Sequence, residues 1–201
     1  MSEKKFFVHE SSYVDDNVEL GDGTKVWHFS HIQKGSRIGK KCSIGQNVNV
    51  ACNVTIGDFV KIQNNVSVYE GVELEDYVFC GPSMVFTNIL NPRCEFPQRG
   101  AEFYIKTLVK HGASLGANST IVCGNIVGRN AFVGAGAVVT KDVPDYALVL
   151  GSPARIKGWY CACGTRLELS LDPETSEACQ CGKCERKYNK EKLMVKLVDW
   201  S

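Results

Sequence analysis

The sequence predicts an all-β chain, a stack of very short strands that turns a corner in every six residues, followed by a small cysteine-bearing module. Three observations predict the stack. First, an apolar residue returns at every sixth position: Val8, Val14, Leu20, Val26, Ile32, Ile38, Ile44, Val50, Ile56, Ile62, Val68, Leu74, Cys80 and Phe86, then Val109, Leu115, Ile121, Val127, Val133 and Val139. Six is a multiple of the two-residue strand repeat but scatters side chains around a helix, so the period belongs to extended structure. Second, the fifth position of each hexad is mostly small or β-branched (Ser12, Val18, Thr24, Ser30, Ser36, Cys42, Val48, Val54, Val60, Val66, Val72, Val78), which makes it a second inward series. Third, the fourth position is often Gly or Asn, as at Asn17, Gly23, Gly35, Asn47, Asn53, Asn65, Gly71, Gly112, Asn118, Gly124, Asn130 and Gly136. Both residues tolerate the positive φ that a tight corner requires.

In chain order, residues 1–7 form a polar and aromatic lead expected to cover the first coil, because a repeat stack exposes its core at the ends unless capped. Hexads then run in register to Phe86 and Thr87. From Phe86 to Val109 the step is 23 residues, not a multiple of six, so residues 88–108 are expected to leave the stack as a protruding loop. Long loops on rigid scaffolds often carry function. Pro92 and Pro97 restrain this one, and Arg93, Arg99 and Lys106 supply donors for a carboxylate or a diphosphate. The hexads resume at Val109 and stop near Pro144.

The last segment, residues 159–201, differs in composition. Cys161 and Cys163 are separated by a seventeen-residue spacer from Cys181 and Cys184, which matches a zinc ribbon, where two tight turns bring four thiolates to tetrahedral corners. Cys179 is a spare that leaves the quartet open, with Cys161, Cys163, Cys181 and Cys184 the simplest choice. A closed four-thiolate shell has no position for substrate, so the expected zinc is structural. So small a module has too little core to fold unaided, and metal binding would supply the missing free energy.

Charge excludes several function classes. Lys plus Arg number 23 against 22 Asp plus Glu, so no basic excess points to nucleic acid or to an anionic membrane surface. No apolar run of about twenty residues is present, and a soluble cytoplasmic protein is expected. The ten cysteines in such a chain are expected as thiols and metal ligands.

Ile44-Gly45-Gln46-Asn47-Val48, Ile56-Gly57-Asp58-Phe59-Val60 and Leu115-Gly116-Ala117-Asn118-Ser119 resemble the hexapeptide repeat of left-handed β-helix acyltransferases. In that family three hexads complete a triangular coil, which implies about 4.4 coils before the loop and about two after it. The resemblance implies a β-helix acetyltransferase domain over residues 1–158 and a zinc-ribbon-like module over 159–201. Val133 to Pro144, followed by Leu150-Gly151-Ser152-Pro153-Ala154-Arg155, is similar to the end of the acetyl-CoA-dependent members. There, small residues (here Gly134, Ala135 and Gly136) let the pantetheine arm lie against backbone. Basic residues, here Lys141, Arg155 and Lys157, are implied as cofactor contacts, the last two at the CoA phosphates.

The resemblance is closest to the bacterial UDP-2-acetamido-3-amino-2,3-dideoxy-D-glucuronate N-acetyltransferases. It covers roughly residues 8–158, through Val26-Trp27-His28-Phe29-Ser30-His31, Gly81 to Asn88, Asn91-Pro92-Arg93 and Leu115 to Gly124. It implies acetylation of a 3-amino group on a nucleotide-linked sugar, for cell-surface polysaccharide such as O-antigen, by a homotrimer with acetyl-CoA between neighbours. A sister group acts on dTDP-3-amino-3,6-dideoxyhexoses and shares the pattern.

Acetyl transfer to an amine needs a neutral nucleophile, stabilisation of the thioester oxygen and a proton acceptor. Asn88 resembles the family residue that holds the amine. Arg93 and Arg99 are candidates for the uronate carboxylate or a phosphate, and His28 for the nucleotide. A related group carries His at the third hexad position where this chain has Glu70, so the acceptor stays open among Glu70, His31, solvent and the departing thiolate. Two alternatives remain beside N-acetyl transfer: an O-acetyltransferase, which needs a firm His base, and a non-catalytic β-helix that docks a partner through its ribbon. A carbonic anhydrase on this scaffold needs three His at one metal, and the spacing of His28 and His31 does not match it.

Overall fold

The computed structural model describes residues 5–98 and 100–199. Arg99, expected at the substrate, lies outside the described residues. The chain forms a left-handed parallel β-helix of two- and three-residue strands, with a small antiparallel sheet at its C-terminal end. Strands pair eighteen residues apart, Val8 with Val26, Val26 with Ile44 and Ile44 with Ile62, so three hexads do close one coil. The first face of the prism carries Val8, Val26, Ile44, Ile62 and Cys80; the second Val14, Ile32, Val50, Val68 and Phe86; the third Leu20, Ile38, Ile56 and Leu74.

Both inward series are where the hexads put them. Ile44, Ile62 and Val68 are at most 1% exposed, and so are the fifth-position Val48, Val54 and Val66. Burying one such side chain stabilises the fold by about 1.5–3 kcal/mol, and truncating Ile62 to Ala would cost about 2–5 kcal/mol once the cavity is included. In the early coils the polar fifth positions are satisfied by the coil itself, whereas the buried hydroxyls of Thr107 and Ser119 have no partner among the described residues. Thr24 Oγ1 donates to Gly39 O (2.7 Å) and accepts from Cys42 N–H (3.0 Å), and Ser30 Oγ does the same with Gly45 O (2.8 Å) and Val48 N–H (3.0 Å).

Fourth positions adopt positive φ at every Gly and Asn expected to do so. Phe29, Lys41, Phe59, Tyr77 and Ser83 share that position and that conformation. Five ordinary side chains thus stand in a left-handed backbone that disfavours them.

Two boundaries differ from expectation. Strand Thr107–Val109 pairs with Val72–Leu74, so the stack resumes at Thr107 and the loop ends two residues short of the expected 108. The stack also runs past Pro144: Val143 bridges to Val127, and Leu148 and Val149 pair with Phe132 and Val133. These partners are sixteen residues apart instead of eighteen, because the last coil is two residues shorter, and that shortening is why the hexad pattern vanishes from the sequence there.

Strand Arg155–Tyr160 then folds back antiparallel on Ala147–Leu150. The expected domain boundary at 158/159 therefore falls inside a strand, beside the fully buried Trp159. Ser176–Gln180, Lys187–Glu191 and Met194–Asp199 make the antiparallel sheet of the module. Tyr188 is buried and meets Tyr146 of the last coil edge-on at 5.2 Å, so module and helix share one core. Among the described residues no helix is long and apolar enough to cross a membrane.

Candidate active site and metal centre

Most of the residues singled out for acetyl transfer belong to the second face or its two edges. His28 and Gly134–Gly136 lie in turns that lead into that face, His31 stands on it, and Glu70, Asn88 and Lys141 lie where the chain leaves it. Backbone bonds from Val138 N–H to Gly151 O (3.0 Å) and from Ala154 N–H to Val138 O (2.8 Å) lay the segment before Arg155 along the end of the same face. Lys157 follows on the exposed side of strand Arg155–Tyr160, where its backbone carbonyl accepts from Arg166.

Asn88 and Glu70 come together at the mouth of the loop. Asn88 Nδ2 donates to the backbone carbonyl of Glu70 at 3.5 Å, which leaves its own carbonyl oxygen to accept an N–H from a ligand. The Glu70 carboxylate accepts from Asn53 Nδ2 at 2.9 Å. Ile105 N–H bonds the Asn88 backbone carbonyl at 2.9 Å, so the two ends of the loop close on each other.

His28 and His31 are not part of that pair. His31 sits two strand steps below the strand that precedes Glu70, roughly 10 Å away at ordinary strand spacing. Its Nε2 is 2.7 Å from Asp15 Oδ1, and Asp15 Oδ2 accepts the Lys34 N–H at 3.0 Å. The bond to His31 holds the Asp15 carboxyl below its ordinary range. His28 stacks on His9 with ring centroids 3.6 Å apart. Arg93 is exposed, and its guanidinium donates to the neighbouring Pro92 carbonyl at 3.0 Å.

A Cβ on Gly134 would meet the end of the Leu150 side chain, which is 40% exposed and can turn aside. At Gly136 (φ 67°) a Cβ would meet nothing within 4 Å, and Ala135 beside it is exposed. Open space at this corner is what a cofactor arm would need.

In the module, Cys161, Cys163, Cys181 and Cys184 place their sulfurs within 4.8 Å of one another, and Cys179 stands apart on the sheet. Sulfurs 161 and 184 are 3.3 Å apart, and 163 and 181 are 3.6 Å apart. A tetrahedron with metal–sulfur bonds of about 2.3 Å has edges of roughly 3.8 Å, so the four fit one cation. Two matching turns build the site: Cys161 N–H bonds Thr165 O (2.8 Å) and Cys181 N–H bonds Arg186 O (2.9 Å). Burial pushes the Cys161 thiol up to about 12. Burial opposes ionisation of Cys163 too, but bonds to Thr165 and to Cys161 bring it down to about 6. Tyr188 Oη lies 3.1 Å from Cys161 Sγ and accepts the Ala162 N–H, which orients that ligand.

Comparison with known proteins identifies the repeat. The model of the bacterial transferase hexapeptide (six repeats) matches residues 17–52, and that of the hexapeptide repeat of succinyl-transferase matches 36–70 and 112–141. Over these residues the repeat is similar to the hexapeptide of bacterial transferases.

Over 82 residues the chain is 56% identical to dTDP-3-amino-3,6-dideoxy-alpha-D-galactopyranose 3-N-acetyltransferase of Aneurinibacillus thermoaerophilus, covering 41% of each chain. Over 83 residues it is 31% identical to galactoside O-acetyltransferase of Lactococcus lactis, covering 41% of this chain and 40% of that one. The chain thus matches about two fifths of the length of these relatives. Among solved structures, a hexapeptide-repeat acetyltransferase from Vibrio cholerae, complexed with acetyl coenzyme A, superposes with a TM-score of 0.52. It is 28% identical, over 62% of this chain and 70% of that one.

Several partners escaped the hexapeptide pattern. Asp15 was missed, although the eighteen-residue offset sets Tyr13 beside His31 and so puts Asp15 diagonally across from it. Asn53, Tyr188 and Thr165 carried no signal, since each acts through a contact the repeat does not encode.

Proposed function

We propose that this chain is an acetyl-CoA-dependent N-acetyltransferase that acetylates the 3-amino group of a nucleotide-linked amino sugar. The observation that carries the reading is the 56% identity to a dTDP-3-amino sugar N-acetyltransferase, together with Asn88 at the mouth of the loop, whose side-chain Nδ2 donates to Glu70 O and whose side-chain oxygen is assigned to the amine. The amine lone pair attacks the thioester carbonyl, the carbon–sulfur bond breaks, and the amine proton leaves with solvent or the departing thiolate. Asn88 orients the amine, and Arg93 and Arg99 on the loop are assigned to the sugar's carboxylate or the diphosphate. His28 is assigned to the nucleotide. Gly136 and Ala135, with Lys141, Arg155 and Lys157, are assigned to acetyl-CoA.

On this reading the sugar is of the UDP-2-acetamido-3-amino-2,3-dideoxy-D-glucuronate or the dTDP-3-amino-3,6-dideoxyhexose type. The enzyme works in the cytoplasm as a homotrimer and serves cell-surface polysaccharide such as O-antigen. Exposed Phe79, Val85 and Ile126, more apolar than a solitary prism favours, support association. Cys161, Cys163, Cys181 and Cys184 hold a structural zinc, which supplies folding free energy and no chemistry.

A second reading, O-acetyl transfer, is favoured by one observation. The Asp15–His31 pair has the arrangement of a carboxylate orienting a base, which a hydroxyl nucleophile requires. One assay tests both: acetyl-CoA with a panel of UDP- and dTDP-amino sugars and their hydroxyl counterparts, read by thiol release. Turnover is expected with amines only, and Asn88→Ala should lower kcat about tenfold or more through lost orientation. Turnover with hydroxyl sugars alone would replace the first reading with the second, and no turnover with any acceptor would end both.

A further inference from the structure

The edge between the third and first faces, opposite the acetyl-transfer face, carries a column of corner residues: Lys41, Phe59, Tyr77, Gly112, Asn130 and Tyr146. Their amides are chained coil to coil, Phe59 N–H to Lys40 O, Tyr77 to Asp58, Gly112 to Asp76, Asn130 to His111 and Tyr146 to Arg129. Lys41 Nζ lies 5.5 Å from the centre of the Phe59 ring, and Phe59 and Tyr77 stack in parallel at 4.7 Å with an 8° interplanar angle. The corner residue at the next place in the stack is Gly112, and the Asn130 side-chain oxygen from the coil above reaches into the space beside it. Phe59 stacks on one face of the Tyr77 ring, His111 stands 5.2 Å away, and the ring is 53% exposed.

Tyr77 borders a cleft of about 570 Å³ between the β-helix and the C-terminal module. That volume lies within the range of small-molecule sites. Tyr77 makes its floor, and His111, 5.2 Å from the Tyr77 ring, its side. Asn130 leans onto Gly112, its side-chain oxygen standing where a Cβ of Gly112 would be, and the same side chain bonds Tyr146, so it forms the inner wall of the cleft beside Tyr77. Arg129 from the helix and Arg186 from the module line the cleft from two sides. Arg186 also lies 3.9 Å from Cys184 Sγ, which ties its position to the metal centre. Tyr77 holds φ 60°, as Phe59 (59°) and Tyr146 (64°) of the same column do, so this edge carries aromatic rings where the corners of other columns mostly have Asn or Gly.

We propose that this cleft binds a nucleoside phosphate at a site separate from the acetyl-transfer face. The base lies on the exposed part of the Tyr77 ring, outside the Gly112 corner, with its edge toward the Asn130 side chain. The phosphate meets Arg129 and Arg186. A stacked base and a phosphate would use the aromatic floor, the Asn130 side chain and both cations together.

The test is calorimetric titration of the intact, zinc-loaded chain with AMP and with UMP. Two variants accompany it, Tyr77→Asn, which places at this corner the residue other coils already use, and Arg129→Gln. Saturable binding is expected for the parent, weakened about tenfold or more in each variant, in line with the loss of a base-stacking partner or a phosphate contact. The Michaelis constants for acetyl-CoA and the amino sugar should not move in either variant. Gly136→Asn, on the opposite face, should leave nucleotide binding in the cleft unchanged. Three results would overturn the assignment: no binding of either nucleotide, equal affinity in Tyr77→Asn, or displacement of AMP by an equal concentration of inorganic phosphate.

Discussion

Gly136→Asn separates a cofactor site from ordinary tight packing at the small-residue turn. Gly136 has φ 67° and shares its corner column with Asn47, Asn65 and Asn118, at φ 56°, 61° and 54°. Asn is therefore at home in this backbone, and a Cβ there meets no atom within 4 Å. The substitution should cost under about 1 kcal/mol, which for a chain of this size moves Tm by no more than about 4 °C. Its amide would nonetheless project into the space assigned to the pantetheine arm. If the arm lies there, the KM for acetyl-CoA rises about tenfold or more, equivalent to about 1.4 kcal/mol, with the KM for the amino sugar unchanged. Gly134→Ala is the comparison: its Cβ needs only the exposed Leu150 side chain to turn aside, so Tm should move by no more than in Gly136→Asn. Initial-rate kinetics and thermal melts of the two proteins are sufficient. An unchanged acetyl-CoA KM in Gly136→Asn would remove this turn from the cofactor site.

Chelating the metal should abolish hydrogen-exchange protection across Ser176–Asp199 while the coils from Val26 to Val139 keep theirs, and full protection after chelation would exclude a metal-dependent module. Lys190 is 1% exposed, and its Nζ bonds Asp172 O (2.8 Å), Thr175 O (3.0 Å) and Thr175 Oγ1 (2.7 Å) and lies 3.6 Å from Glu177. Lys190→Met leaves these acceptors unpaired and should destabilise the module by about 3–5 kcal/mol in a denaturant melt, whereas a loss below about 1 kcal/mol would mean the loop of residues 172–175 does not need it. Asp15 has a depressed folded pKa, so its contribution to stability is full above the ordinary carboxylate range near pH 4 and is lost as pH falls through the folded value. In His31→Ala the Asp15 midpoint, followed by NMR, should rise toward the ordinary value, and no movement would show that His31 is not what lowers it.

The six-residue period, the inward fifth position and the Gly or Asn corners determined the β-helix, because each coil repeats one local geometry and every repeat states it again. The same regularity exposed the loop after Phe86 by its absence and put Asn88 and Glu70 together, since Glu70 and Asn88 are eighteen residues apart and the coil closes at that distance. Cysteine spacing marked the metal ligands, and tertiary structure removed Cys179 from the choice by placing it on the sheet away from the other four. What only the fold decided depends on contacts that no period encodes. Those contacts are the short last coil that carries the stack to Leu150, Asp15 beneath His31, Leu150 against Gly134, and the module folded back over Tyr77 and His111. A repeat fixes where each side chain points from its own coil. Which groups meet across coils, and across the seam between helix and module, is settled only when the coils stack.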